Sequence, residues 1–312
     1  MSRTISTAAL LLVLGAAGFI GARAQANPNS DAKAAYEAGD YAKAVEILQA
    51  AAAKGDAKAE SGLGVMYEHG RGVPQDMQKA LEWYMKAAAQ GNGSAQNNLG
   101  YLYFNGLGVP KNYDEAFKWY SQAVKNTKPN DWDEAIAWTN LGSMYYWGRG
   151  VGKDYKKAAD AYQRAADKEN PYAANNLAYL YEHGLGVPHD EKLSAAWYRK
   201  AADQGYPFAE DNLAVMYETG KGVMQSYDEA LKLFSEAAGK GNGFAQYKLG
   251  RLYELGLGVK KDPVCAYKWY SLSSARGEEE GQESLKRLQP LLSAAQIKDA
   301  EAQAAQEKGA KP

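Results

Sequence analysis

Apolar residues recur along this chain at the spacing of one helical face. In one stretch Ala173, Leu177, Leu180 and Tyr181 fall at i, i+4, i+7 and i+8, with polar residues between them, which predicts an amphipathic helix. Asn170 and Pro171 start it as a cap and a first-turn proline. Gly184 and Gly186 break it, since both can take positive φ. Asp190 then caps a second helix carrying Trp197-Tyr198 and the small pair Ala201-Ala202. The element predicted is a helix–turn–helix hairpin. It repeats, anchored at Leu63, Leu99, Leu141, Leu177, Leu213 and Leu249, at intervals of 36, 42, 36, 36 and 36 residues. A fixed period in this range predicts a solenoid, because one hairpin cannot bury its own apolar faces and must stack on the next.

Aligning the six units gives columns with separate physical explanations. Gly64, Gly100, Gly142, Ala178, Ala214 and Gly250 place a small residue where two helices meet closely. Asp76, Asn112, Asp154, Asp190, Ser226 and Asp262 are all good N-cap residues, so this column is read as capping and not as a catalytic or metal series. Trp83-Tyr84, Trp119-Tyr120, Trp197-Tyr198 and Trp269-Tyr270, replaced by Ala161-Tyr162 and Leu233-Phe234, form the aromatic core. Each such ring buries roughly 150–250 Å². Residues 27–55 read as an N-terminal capping unit resembling a tetratricopeptide hairpin, 56–278 as the six repeats, 279–306 as C-terminal capping helices and 307–312 as a polar tail.

Charge and composition narrow the setting. Residues 1–26 carry Arg3, an uncharged apolar run from Ala8 to Ile20 and the small-x-small site Ala24-Gln25-Ala26, the pattern of a cleaved secretory signal. The expectation is a periplasmic protein, or one secreted further, with no stable membrane insertion once the leader is removed. Losing Arg3 and Arg23 leaves 34 basic against 37 acidic side chains, a formal charge of −3, which argues against nucleic-acid binding. Cys265 is the single cysteine and has no internal disulfide partner.

The string Ala-x-x-x-Leu-Gly-x-x-Tyr-x-x-Gly-x-Gly-Val-x-x-Asp-x-x-x-Ala-x-x-Trp-Tyr-x-x-Ala-Ala-x-x-Gly, from Ala59 to Gly91, resembles the SEL-1-like repeat family of tetratricopeptide-related solenoids. The resemblance implies an all-α, right-handed superhelical solenoid of helix-pair repeats. It also implies an adaptor that binds a protein or peptide, and in bacteria an exported regulator of a sensor or envelope process. Glu169 departs from the family pattern, which has glycine there.

First helices line the inner curve in related solenoids, so their variable face is the candidate groove. Asn98, Asn140, Asn176 and Asn212 form a one-per-repeat series of amides that either holds an extended peptide or satisfies neighbouring repeats. Tyr101, Tyr179 and Trp147 are candidate anchors beside them. The third unit carries six extra residues, expected as a loop over 124–133. Trp132, Trp138 and Trp147, the tryptophans outside the core column, all fall in this unit. They read either as an exposed binding cluster or as indoles buried by their own loop.

No catalytic, cofactor-binding or metal-ligating set is recognised. His69, His183 and His189 lack ligand spacing, and neither a phosphate loop nor a nucleophile elbow is present. Some exported relatives have been linked to β-lactam binding or hydrolysis, so that activity is one alternative; the lone Ser30-x-x-Lys33 has no completing motif. A host-interaction factor is the other.

Overall fold

Sixteen α-helices account for most of the described residues, 28–127 and 132–309, of this computed structural model. The leader read at residues 1–26 lies outside them. Pro28–Glu37 (α1) and Tyr41–Ala52 (α2) form the first hairpin. Six further hairpins follow: Ala57–His69 (α3) with Met77–Ala89 (α4), Gly93–Asn105 (α5) with Tyr113–Asn126 (α6), Trp132–Trp147 (α7) with Tyr155–Ala166 (α8), Pro171–His183 (α9) with Glu191–Ala202 (α10), Pro207–Thr219 (α11) with Tyr227–Gly239 (α12), and Gly243–Leu255 (α13) with Pro263–Ala275 (α14). Glu279–Leu288 (α15), a 3₁₀ turn Gln289–Leu291 and Ala294–Gly309 (α16) close the chain. No described helix is long and apolar enough to cross a membrane.

The helices assort into two compact units. Of the described residues, the first holds those up to Asn176 with residues 185–187; the second holds 177–184 and those from Pro188 on.

Capping fixes each second helix. Asp76, Asn112, Asp154, Asp190, Ser226 and Asp262 sit in extended backbone and accept from first-turn N–H groups, as at Asp76 from Gln78 and Lys79 (3.1 and 3.0 Å). Asn170 likewise accepts from the Ala173 N–H at 3.0 Å. The tight column has a steric cause: a Cβ added at Gly64, Gly100, Gly142 or Gly250 would lie 2.4, 2.6, 2.8 or 2.7 Å from the ring of Tyr84, Tyr120, Tyr162 or Tyr270. These rings, with Tyr198 and Phe234, are fully buried. The paired tryptophans are less so: Trp197 and Trp269 are buried, Trp83 and Trp119 half-buried. Lys86, Lys200 and Lys268 cover the rings of Trp83, Trp197 and Trp269 at 4.1, 3.9 and 4.4 Å, an amphipathic lid on an incompletely enclosed indole.

The second glycine of each turn keys one hairpin to its predecessor. A Cβ on Gly72 would lie 2.4 Å from the Tyr41 carbonyl, and one on Gly150 2.1 Å from that of Tyr113; in the second unit Gly222 meets Glu191 at 2.0 Å. These glycines also hold φ of 73°, 67° and 66°, so both conformation and space require them.

The insertion behaves differently from expectation. Residues 124–133 were expected as loop, yet α6 continues to Asn126 and α7 already starts at Trp132. No glycine stops α6; Thr127 ends it instead, its N–H and hydroxyl both turned to the Ala123 carbonyl at 2.9 Å. Asp133 and Glu134 lie in the first turn of α7, where carboxylates complement the helix dipole.

In the second unit α15 and α16 take the place of a further hairpin. Ala300 of α16 and Leu288 of α15 join Ala266, Tyr267 and Tyr270 in one apolar cluster. Lys268 pairs with Glu307 at 2.8 Å. Cys265 is half-buried and unpaired, with burial raising its thiol pKa.

Candidate interaction surface

The first-helix face is organised by a polar column threaded through the aromatic core. In the first unit the Tyr84 hydroxyl donates to Glu68 Oε2 at 2.6 Å, sixteen residues back. Asn98, fourteen residues on, bonds the same hydroxyl. Burial, and then the Glu68 charge, push the Tyr84 pKa well above its ordinary value, so it stays a neutral donor. Asn176 bonds the Tyr162 hydroxyl, which also shares a 3.1 Å hydrogen bond with Ser143. In the second unit Tyr198 donates to Glu182 at 3.0 Å and Tyr270 to Glu254 at 2.6 Å; Ser284 of the capping helix bonds Tyr270 where a repeat would supply asparagine. Arg287 caps that end on Glu254 (Nη2 to Oε2, 2.7 Å) and holds its carboxyl below the usual range.

One unit replaces the chemistry wholesale. Phe234 stands where a tyrosine would, and Lys248 where the asparagine would. With no hydroxyl to bind, Glu218 pairs with Lys248 and with Arg251 (3.6 Å). Lys248 also lies 5.9 Å from the Phe234 ring centre.

The column breaks at the third repeat. Phe104 occupies the glutamate position, and the buried Tyr120 hydroxyl has no hydrogen-bond partner. Asn140, whose register should serve Tyr120, turns its amide to Asn97 Oδ1 at 2.9 Å, leaving its own Oδ1 unpartnered. The amides proposed for a peptide are therefore placed inward. Asn140, Asn176 and Asn212 are 1, 3 and 6 % exposed; Asn98 is half-buried on Tyr84.

Trp138 and Trp147 lie nearer the surface but do not form one cluster. Trp138 and Trp147 are nine residues apart on α7, on opposite faces and about 13 Å apart along the axis. Trp138 is half-buried against Phe104, Leu141 and Met144, its indole N–H directed to Glu134 Oε1 at 3.4 Å and its ring 4.9 Å from the Arg164 guanidinium. Glu134 pairs in turn with Lys168 at 2.9 Å. Trp147, half-exposed, meets the buried Tyr146 edge-on at 4.9 Å. Trp132 opens α7, and its side chain is outside the described set. Tyr101 packs on the Tyr84 and Leu99 cluster, its pKa raised by burial and by the Glu68 charge. In the second unit Tyr179 stacks on His183 at 4.1 Å.

Sequence reasoning passed over one residue here. Arg149, in the turn after Trp147, faces the rings of Phe104, Tyr113 and Trp147 at 5.2, 5.4 and 5.6 Å. The available signal was a charged residue inside a Gly-x-Gly turn that carries leucine in three of the other repeats. Ser30 and Lys33 lie on α1, where Lys33 pairs with Glu37 at 3.6 Å. Among the described residues no cluster of three or more His, Cys, Asp or Glu side chains has the geometry to hold a metal ion.

Stacked hairpins joined by capping, keyed glycines and shared aromatic rings define an all-α repeat solenoid of the tetratricopeptide-like class. The chain belongs to the Sel1 repeat family, whose repeat matches residues 33–56, 57–92, 93–127, 135–170, 171–206, 207–242 and 243–278. The first of these falls within the N-terminal hairpin read as a cap. A protective antigen present in uropathogenic Escherichia coli strains, displaying an SLR fold, is 34% identical with a TM-score of 0.72 over 91% of this chain; the match spans 65% of that protein's length. A Sel1 repeat protein from Oxalobacter formigenes is 33% identical, TM-score 0.70, over 80% of this chain and 97% of its own. The anaphase-promoting-complex assembly Cut9–Hcn1, at 15% identity and a TM-score of 0.55 over 82% of this chain and 48% of the matched one, shares the fold alone. Among curated proteins none matches. Sel1 repeats generally serve as non-catalytic scaffolds for protein interaction.

Proposed function

We propose that this protein is an exported, non-enzymatic scaffold that binds a protein or peptide around its third repeat, regulating a periplasmic sensor or another envelope process. The carrying observation is the coincidence of three departures where the second repeat meets the third. The polar column fails between Phe104, Tyr120 and Asn140, the helices around the insertion lengthen, and Trp147 remains half-exposed beside Tyr146. Natural sequences concentrate local irregularity at functional sites, and a half-exposed indole on a buried ring is a suitable interface anchor. Asn98 and Tyr101 border this region from α5. The four amides then hold the repeats in register, and aromatic rather than amide contacts supply the affinity.

The test is a photoreactive residue in place of Trp147 in intact cells, with the leader present. Specific crosslinking to one envelope protein, lost when the residue is moved to Lys232 on α12, supports the reading. Equal, diffuse labelling from both positions overturns it.

A second reading, a host-facing role, draws on the uropathogenic relative being a protective antigen. Recovery of the protein from culture medium rather than from the periplasmic fraction would favour it.

A further inference from the structure

The turn of the third repeat carries positive charge with little local compensation. Among the described residues, the interactions of the Arg149 guanidinium are with rings alone: Phe104, Tyr113 and Trp147. Lys153, Lys156 and Lys157 follow within eight residues and are exposed. Lys153 and Lys157 rest near the Tyr155 and Tyr145 rings at 5.7 and 5.4 Å. The nearby Asp154 is committed to capping α8 and pairs with Lys157 at 3.4 Å. Asp114, at the start of α6 beneath Gly150, makes no ion pair with Arg149.

Packing does not require a guanidinium at this position. Leu107 and Leu257 occupy the same place in their own turns and join the apolar clusters of the preceding hairpins. What arginine adds is charge and a planar fork. A guanidinium stacked on rings keeps its N–H edge available and its rotamer restricted, the arrangement that receives a carboxylate bidentately at reduced entropic cost. Arg71 repeats the stacking over Tyr36 and Tyr41 at 5.1 and 5.8 Å, but only Lys79 follows it within eight residues.

We infer that this turn is a receptor for an acidic segment of the partner protein: Arg149 pairs with a carboxylate, Trp147 packs against the segment, and Lys153, Lys156 and Lys157 draw it in. The inference rests on the scaffold reading above and specifies the partner's chemistry.

The test is fluorescence anisotropy of a labelled, end-capped decapeptide of Asp and Glu against the purified protein, with its Asn/Gln counterpart as control. The acidic peptide should bind, more weakly as salt rises, and the amide peptide should not. Arg149→Leu should weaken binding at least tenfold with helicity retained, and Arg71→Leu should change it less than twofold. The combined Lys153→Gln, Lys156→Gln and Lys157→Gln variant, altering exposed side chains only, should also weaken it and guards against misfolding of the arginine variant. Equal binding by Arg149→Leu, or displacement of the peptide by inorganic phosphate at equal concentration, would overturn the inference. Crosslinking from position 147 separates the two readings. A partner trapped equally by wild type and Arg149→Leu sinks the acidic receptor alone; Arg149-dependent peptide binding without any cellular partner sinks the scaffold role alone.

Discussion

Removing one hydroxyl at each of two equivalent tyrosines should have opposite consequences. Tyr84 and Tyr120 are both fully buried in the first unit and both lie on a glycine of the facing helix. Tyr84 donates to a carboxylate at 2.6 Å and is bonded by Asn98. Tyr84→Phe therefore breaks a charge-assisted hydrogen bond worth about 1.5–3 kcal/mol net and leaves two partners to find water. Tyr120 has no partner, so its hydroxyl contributes a desolvation cost of about 1–3 kcal/mol to folding. Tyr120→Phe removes that cost without leaving a cavity. The expected difference between the variants is about 2.5–6 kcal/mol, with Tyr84→Phe destabilised and Tyr120→Phe stabilised. Urea unfolding followed by circular dichroism at 222 nm measures it, and since both residues lie in one compact unit they report on the same transition. If Tyr120→Phe is destabilised as much as Tyr84→Phe, a bound water or a partner atom occupies that position, and the break in the column is filled.

Four further outcomes follow from local geometry. Glu169 is the one non-glycine with positive φ among the described residues, at 61°; left-handed backbone costs about 1–2 kcal/mol for such a residue, so Glu169→Gly should stabilise by about 0.5–1 kcal/mol after the added chain entropy, measurable as a higher urea midpoint. Gly100→Ala would place a methyl 2.6 Å from the Tyr120 ring and should cost about 1–3 kcal/mol in the same assay. Asp211, buried beside Glu210 and Glu278, has its pKa pushed up to about 8, chiefly by burial. The folded state then holds a proton that the unfolded chain releases near pH 4, so this contribution is full below pH 4, falls as pH rises, and is lost above pH 8; Asp211→Asn, the residue already used at positions 97 and 175, should flatten that dependence and raise stability at pH 8. Purified protein should not turn over nitrocefin, and a rate that Ser30→Ala abolishes would refute the non-enzymatic reading.

The parts legible in the sequence are those governed by local chemistry. Caps such as Asp76 and Asn170, and helix-ending glycines such as Gly148, need only neighbours a few residues away. The repeat multiplies that signal. The polar column was harder to see because its partners lie fourteen and sixteen residues apart and belong to different helices. Its trace was present in the joint replacement of tyrosine and asparagine by Phe234 and Lys248, and in Ser284 at the register of a missing asparagine. The third repeat misled for another reason. Helical spacing puts Trp138 and Trp147 on opposite faces, so here proximity along the chain is not proximity in space. Whether α6 or the connection would absorb the extra residues depended on the absence of a stopping glycine after Ala123.

The keyed glycine gives the stack a direction. Each Gly-x-Gly turn inserts its second glycine against the backbone of the hairpin before it, so a hairpin added at the C-terminal side brings its own key, whereas one added at the N-terminal side must offer a fitting seat to a turn already in place. Growth of such a chain by duplication is thus easier toward its C-terminus, and shortening it from that end leaves every remaining key in its seat.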